Sequence, residues 1–149
     1  MLNDDYREMM HLLKNHGCDF IIVGAYALAA HGFPRATGDI DIFISTDPDN
    51  ARKVYDALSE FGAPIGQYST RDLCDAGAIF QIGVAPCRVV IITRIDGVSY
   101  EEAAASAVDI VFEGMTLPFL SKACFITNKL AAGRPKDLAD AAYLQDGAD

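Results

Sequence analysis

Tryptophan is absent and basic residues are few: 12 Lys+Arg stand against 21 Asp+Glu in 149 residues, a formal net charge of −9. An acidic surface repels phosphate backbones, which argues against a protein that coats DNA or RNA without sequence preference. A single nucleotide remains open as a ligand, because it needs only a local patch or a metal ion. No apolar run approaches the roughly 18–20 residues of a membrane span. The acidic, amphipathic amino terminus reads as neither a signal nor a transit peptide. The four cysteines, Cys18, Cys74, Cys87 and Cys124, form no CxxC pair. They read as small buried hydrophobes in a reducing cytoplasm rather than as a disulfide or zinc framework. GxGxxG is missing too, so nothing marks a Rossmann repeat. No Ser/His/Asp or Cys/His pattern supports hydrolase chemistry.

What is present is a globular composition, 51% hydrophobic and 22% charged, of a length that fits one domain. Apolar residues at helical spacing predict a helix over residues 4–16, stopped by Gly17. A short apolar strand is expected at 19–23, then a small-residue helix from Gly24 to Gly32. A second strand follows at 39–45, and Asp47-Pro48 opens a helix ending at Gly62. A short segment at 70–75 precedes strands at 78–83 and 88–93, with a turn at Pro86. Ser99 and Glu102 form a capping box, a strand is expected at 108–112, and helices at 121–132 and 135–145 close the chain. Helices and strands interspersed in this order predict an α+β domain, a mixed sheet with helices packed on it.

The chemistry concentrates in VGAYALAAHGFPRATGDIDIFIS, residues 23–45. On a strand, Asp39 and Asp41 share one face while Ile40, Ile42 and Ile44 fill the other. Two carboxylates about 6–7 Å apart can converge on one divalent cation, and without a cation their like charges are costly neighbours. The pattern asks for Mg²⁺ or Mn²⁺. Gly24, at a strand-to-helix transition, permits close approach of a phosphate to backbone N–H groups. Arg35 and Thr37, just ahead of the carboxylates, suit a triphosphate or an acceptor. Late in the chain Lys129, Arg134 and Lys136 form a basic cluster. It either meets an anion or pairs with Asp137 and Asp140 to cap the last helix. His31 reads as a packing or helix-end residue, and His11 and His16 as surface residues.

With the His31-Gly32 pair and the Arg35-to-Asp39 lead-in, residues 24–41 resemble the nucleotidyltransferase superfamily, whose fold is shared with DNA polymerase beta and kanamycin nucleotidyltransferase. The chain looks most like small bacterial nucleotidyltransferase-like proteins with a late GRPKDLAD block, matched by residues 133–140. FQIG at 80–83 and IDGVSYEEA at 95–103 also look familial. The resemblance implies a nucleotidyltransferase fold with C-terminal helices. It implies transfer of a nucleoside monophosphate from an NTP to a hydroxyl of a protein, RNA or small molecule, with Asp39 and Asp41 as metal ligands and catalytic residues. By the same resemblance Gly24 and Ala25 meet the phosphates, with Ala25 where the family has a second glycine. Members often act as toxins in toxin–antitoxin or phage-defence systems. The family's third carboxylate sits in a P-x-R-I-D-I-L-T pattern aligned with residues 86–93, where Val90 replaces the aspartate. A valine binds no metal and accepts no proton, so a degenerate fold that binds a nucleotide or protein without turnover is the alternative. The apolar helices at both ends suit a homo-oligomer or a partner protein that supplies the missing group.

Overall fold

The computed structural model describes residues 3–33, 38–83, 87–112 and 114–146. Helix α1 spans Asp4–Asn15, with Asn3 capping its first turn, and leads into strand β1, Phe20–Val23. The next elements are α2 (Gly24–Ala30), β2 (Ile40–Ile44) and α3 (Pro48–Phe61), where Asp47 caps and Gly62 terminates with positive φ. A short 3-10 helix at Thr70–Cys74 precedes β3 (Ile79–Ile82) and β4 (Val89–Ile92). Then come α4 (Tyr100–Ser106), β5 (Val108–Phe112), β6 (Met115–Phe119), α5 (Lys122–Ala132) and α6 (Pro135–Asp146). The capping box at Ser99 and Glu102 forms in both directions.

The strands make one mixed sheet in the order β3-β4-β2-β1-β6-β5. β2 lies between antiparallel β1 and parallel β4, so both its edges are paired. Ile40, Ile42 and Ile44 are at most 1% exposed, and each such side chain removed from water contributes about 1.5–3 kcal/mol. On the other face Phe43 meets Tyr100 edge-on at 5.2 Å, which places α4 over the C-terminal part of that face. Buried Asn50 on α3 accepts from Asp19 N–H and donates to the carbonyls of Asp19 and Ser45, tying α3 to the start of β1 and the end of β2.

The sequence pattern omits one strand. β6, MTLPF, carries Pro118, which removes a ladder donor and normally argues against a strand, and polar Thr116. It nonetheless forms, paired antiparallel along β5 and parallel to β1 at Ile22 and Phe119. The cysteines also depart from expectation. None is bonded to another, but Cys87 is exposed and the other three are only half-buried. His31 ends α2, bonds the Leu120 carbonyl through its ring at 2.7 Å and lies edge-on to Phe125, a packing role as expected. His11 is exposed, while His16 is half-buried and contacts Glu60 at 2.9 Å. Among the described residues no helix is long and apolar enough to cross a membrane.

Candidate functional site

β1 and β2 pair so that Val23 stands opposite Asp41, and Gly24 follows immediately as the chain turns into α2. Gly24 has φ of +72°, a conformation that costs an L-residue about 1–2 kcal/mol. A Cβ there would lie 3.0 Å from Asp41 Cγ and overlap its Oδ2. Glycine is therefore required twice, by the turn and by the carboxylate lying against the backbone. Val23 at the N-cap offers no side-chain acceptor, so among the described residues no side-chain cap meets the first N–H groups of α2, Gly24 and Ala25 among them.

On the other side of β2, the parallel pairing with β4 sets Asp41 beside Val90. Adjacent strands lie about 4.8 Å apart and side chains in register share a face. Val90 thus occupies the position next to Asp41 that the third carboxylate would fill. It is 8% exposed and stands apart from the central core that takes in its strand neighbours Val89 and Ile91. One place earlier on the same face, Arg88 forks onto Asp39: Nε to Oδ1 at 3.3 Å and Nη2 to Oδ2 at 3.1 Å. The Arg88 backbone N–H adds a bond to Oδ1 at 3.3 Å, and Nη1 donates to Gln81 Oε1 at 3.2 Å.

The electrostatics are unequal. Burial first, and then the neighbouring Asp39 charge, hold the Asp41 carboxyl above the usual carboxylate range, with Arg88 opposing them. Among the described residues Asp41 is thus a half-buried carboxylate whose compensation by Arg88 is partial, the situation that a bound cation relieves. Two carboxylates also match the donors Mg²⁺ ordinarily takes from a protein when a nucleotide's phosphates supply the rest. A group of three metal-binding side chains is absent among the described residues, so the protein's own donors do not make a closed metal cage.

The sequence pattern passes over Arg88 and Tyr6. The Tyr6 hydroxyl on α1 reaches the carbonyls of Gly38 and Arg88, holding together the backbone just ahead of both strands, and its ring meets Tyr26 of α2 edge-on. Burial raises its pKa above the ordinary value, so it stays a neutral donor. The R of the R-I-D pattern was the signal available for Arg88; for Tyr6 there was none.

Arg35 and Thr37 lie outside the described residues, as does the turn expected at Pro86. The basic block falls elsewhere. Lys129 Nζ sits 3.7 Å from Asp137 and 3.4 Å from Asp140, and Arg134 forks onto Asp137 at 2.6 and 3.2 Å. Of the two readings of this cluster, pairing with the aspartates is what the structure contains. Lys129 borders a cavity of about 320 Å³ together with Ile79, Arg94, Asp96 and Asn128. Ile79 pairs with Ile92, so this cavity lies toward the C-terminal end of β4, away from Arg88. Lys136 is exposed on α6. The structure therefore joins Gly24, Asp39 and Asp41 in one place and sets Lys129 at the other end of β4.

No protein-family model and no curated protein matches the chain. Among solved structures it is similar to a Thermotoga maritima protein described as a "putative nucleotidyltransferase", with 19% identity, a TM-score of 0.61, and coverage of 99% of this chain and 95% of that one. At that identity the likeness speaks for architecture: the chain has the nucleotidyltransferase fold.

Proposed function

We propose that the protein binds an NTP together with Mg²⁺ or Mn²⁺ and transfers its nucleoside monophosphate to a hydroxyl. The observation that carries this reading is the contact of Asp41 with the Gly24 backbone, which puts a destabilised carboxylate and uncapped N–H groups at one point. Asp39 and Asp41 would hold the cation, which when bound neutralises phosphate charge and polarises the reacting phosphorus. Gly24 and Ala25 would donate backbone N–H groups to phosphate oxygens. The acceptor hydroxyl gives its proton to water as its oxygen bonds the α-phosphorus, the bond from the α-phosphorus to the oxygen bridging to the β-phosphate breaks, and pyrophosphate leaves. In the basic block, exposed Lys136 is open to an incoming anion, whereas Lys129 is held by two carboxylates.

The test is calorimetric titration of ATP, GTP, CTP and UTP with and without Mg²⁺, repeated on Asp39→Asn with Asp41→Asn. Mg²⁺-dependent binding lost in the double variant is expected. Absence of any Mg²⁺-dependent binding, together with no NTP-dependent product on protein, RNA or small-molecule acceptors, overturns the reading.

A second reading, binding of a nucleotide or partner without turnover, is favoured by Val90 beside Asp41. Val90→Asp is then expected to strengthen Mn²⁺ binding at least tenfold, and nucleotidyl transfer by the natural protein at ordinary enzymatic rates rejects it. Acceptor identity bears on a toxin role: growth arrest on expression, relieved by the Asp39/Asp41 double variant, would support one. A partner or second copy that completes the site would appear in light scattering as more than monomer. NTP, Mg²⁺ and four unbonded cysteines together suit a reducing cytoplasm.

A further inference from the structure

The sheet ends at β5 with an open edge. Where β6 runs parallel to β1, Phe119 stands opposite Ile22 and Leu120 N–H donates to the Ile22 carbonyl at 3.0 Å. Backbone groups alternate sides along a strand, so Pro118 and Leu120 turn theirs toward β1, and Met115, Leu117 and Phe119 turn theirs toward β5. Those three stand opposite Phe112, Ile110 and Val108, which therefore carry the ladder to β6. Asp109 and Val111 are left with their N–H and C=O groups facing outward, and among the described residues no strand lies beyond them.

The side chains of this edge are unfinished as well. Val108, Ile110 and Phe112 share a sheet face with buried Met115, Leu117 and Phe119, yet Val108 is 40% exposed and the other two are half-buried. Val111, on the opposite face, is 69% exposed. The strand carries neither proline nor lysine, residues that commonly guard an open edge, and its one charge is Asp109.

This strand is complementary to itself. Laid antiparallel against a second β5 with Ile110 opposite Ile110, it sets Val108 opposite Phe112 and Asp109 opposite Val111. The outward N–H and C=O groups of Asp109 and Val111 then all find partners across a two-fold axis, and the apolar row continues over the junction. Sliding one way brings Asp109 opposite Asp109, like charges face to face, and carries Val111 past the partner's strand. Sliding the other way sets Val111 opposite Val111 and leaves Asp109 beyond the partner's Phe112.

We propose that β5 is the surface through which two copies of this chain associate, in the register centred on Ile110, so that their sheets join into one. Asp41 lies on β2, three strands in from β5, about 14 Å at the usual strand spacing. The Gly24 site therefore stays open in both copies, and the dimer stands independently of the cation reading.

Sedimentation equilibrium on the full chain tests this. The natural chain is expected to approach twice its own mass as its concentration rises toward about 1 mM. Val111→Asp places a second carboxylate opposite Asp109 at two symmetric points and is expected to weaken the dimer by about tenfold or more. Adding Asp109→Lys turns both like-charge pairs into opposite-charge pairs and is expected to restore the natural affinity. Both positions are exposed, so circular dichroism is expected to show each variant folded. Should Val111→Asp unfold, Val111→Lys, which meets Asp109 with an opposite charge, is expected to tighten the dimer by about threefold. A monomer at every concentration overturns the proposal. So does a dimer that the Val111 variants leave unchanged, or one that Asp109→Lys fails to restore.

Discussion

Two clusters of charge in this protein are built from the same residue types and balance in opposite ways. At the Gly24 site, Asp39 and Asp41 share one strand face with Arg88, and Asp41 is held above the usual carboxylate range by burial and by Asp39. At the α5–α6 junction, Asp137 is 1% exposed yet held below that range, first by its hydrogen bond from Arg134 and with further help from Lys129. Among the described residues the second cluster brings two cations to Asp137, while in the first Arg88 forks onto Asp39 and leaves Asp41 above the usual range. Charge pairing complete within the fold is the mark of a structural joint, and pairing left incomplete beside open backbone donors is the mark of a site that expects a ligand. The difference also separates the basic block from the carboxylates more firmly than distance does, since Lys129 already has two anionic partners.

The largest effect that can break this comparison is at Gly24. Gly24→Ala adds the cost of positive φ to overlap with the Asp41 carboxylate, together about 3 kcal/mol of lost stability by urea denaturation. Combined with Asp41→Ala, the overlap vanishes while the backbone cost stays. The double variant is therefore expected to fall short of the summed single losses by about 1–2 kcal/mol. A loss below 1 kcal/mol for Gly24→Ala alone, or strict additivity, rejects the close approach on which the site is built.

How far the sequence reveals this contrast depends on the range of each interaction. Caps and stops are local, so Asp47 and Ser99 do at the helix ends what their spacing suggests. The alternation in DIDIF likewise predicts a common face for Asp39 and Asp41, and the phase of Val90 matches its register beside Asp41. What the sequence hides is long-range. The fork from Arg88 to Asp39 depends on strand register across 49 residues, and the Gly24 contact on how β1 meets β2. β6 escapes because Pro118 breaks the local pattern, yet its pairing with β5 and β1 overrides that preference. For Lys129 the sequence leaves two partners open, phosphate or aspartate, and the turn from α5 into α6 brings the aspartates to it.

The next smaller effect probes the balanced cluster. Asp137→Asn leaves Arg134 without its buried counter-charge and Lys129 with Asp140 alone, and a fall in Tm of roughly 6 °C at pH 7 is expected. Because the carboxyl is held below its ordinary 3.8, its contribution is full above that value. It is lost as pH falls through the lower folded-state pKa. The Tm difference between variant and natural chain should therefore close on acidification below about 3.8. A difference that persists unchanged into that range assigns the effect to packing and removes the electrostatic account.

The smallest effect has the opposite sign. Asp41 is held above its ordinary 3.8, so the folded chain binds the proton more tightly than the unfolded chain does. Stability then falls as pH rises from 3.8 through the raised folded-state value, and above it the full penalty of the half-buried charge remains. Asp41→Asn keeps the shape without the charge, so it is expected to stabilise the metal-free protein at pH 7 by on the order of 1 kcal/mol. The gain should shrink as acid protonates the natural carboxyl. The same substitution should abolish Mn²⁺ binding, so added Mn²⁺ should stabilise the natural chain and leave the variant unmoved. A variant less stable than the natural chain at pH 7 would mean that Asp41 is already compensated within the fold, and the two clusters would then differ in composition but not in kind.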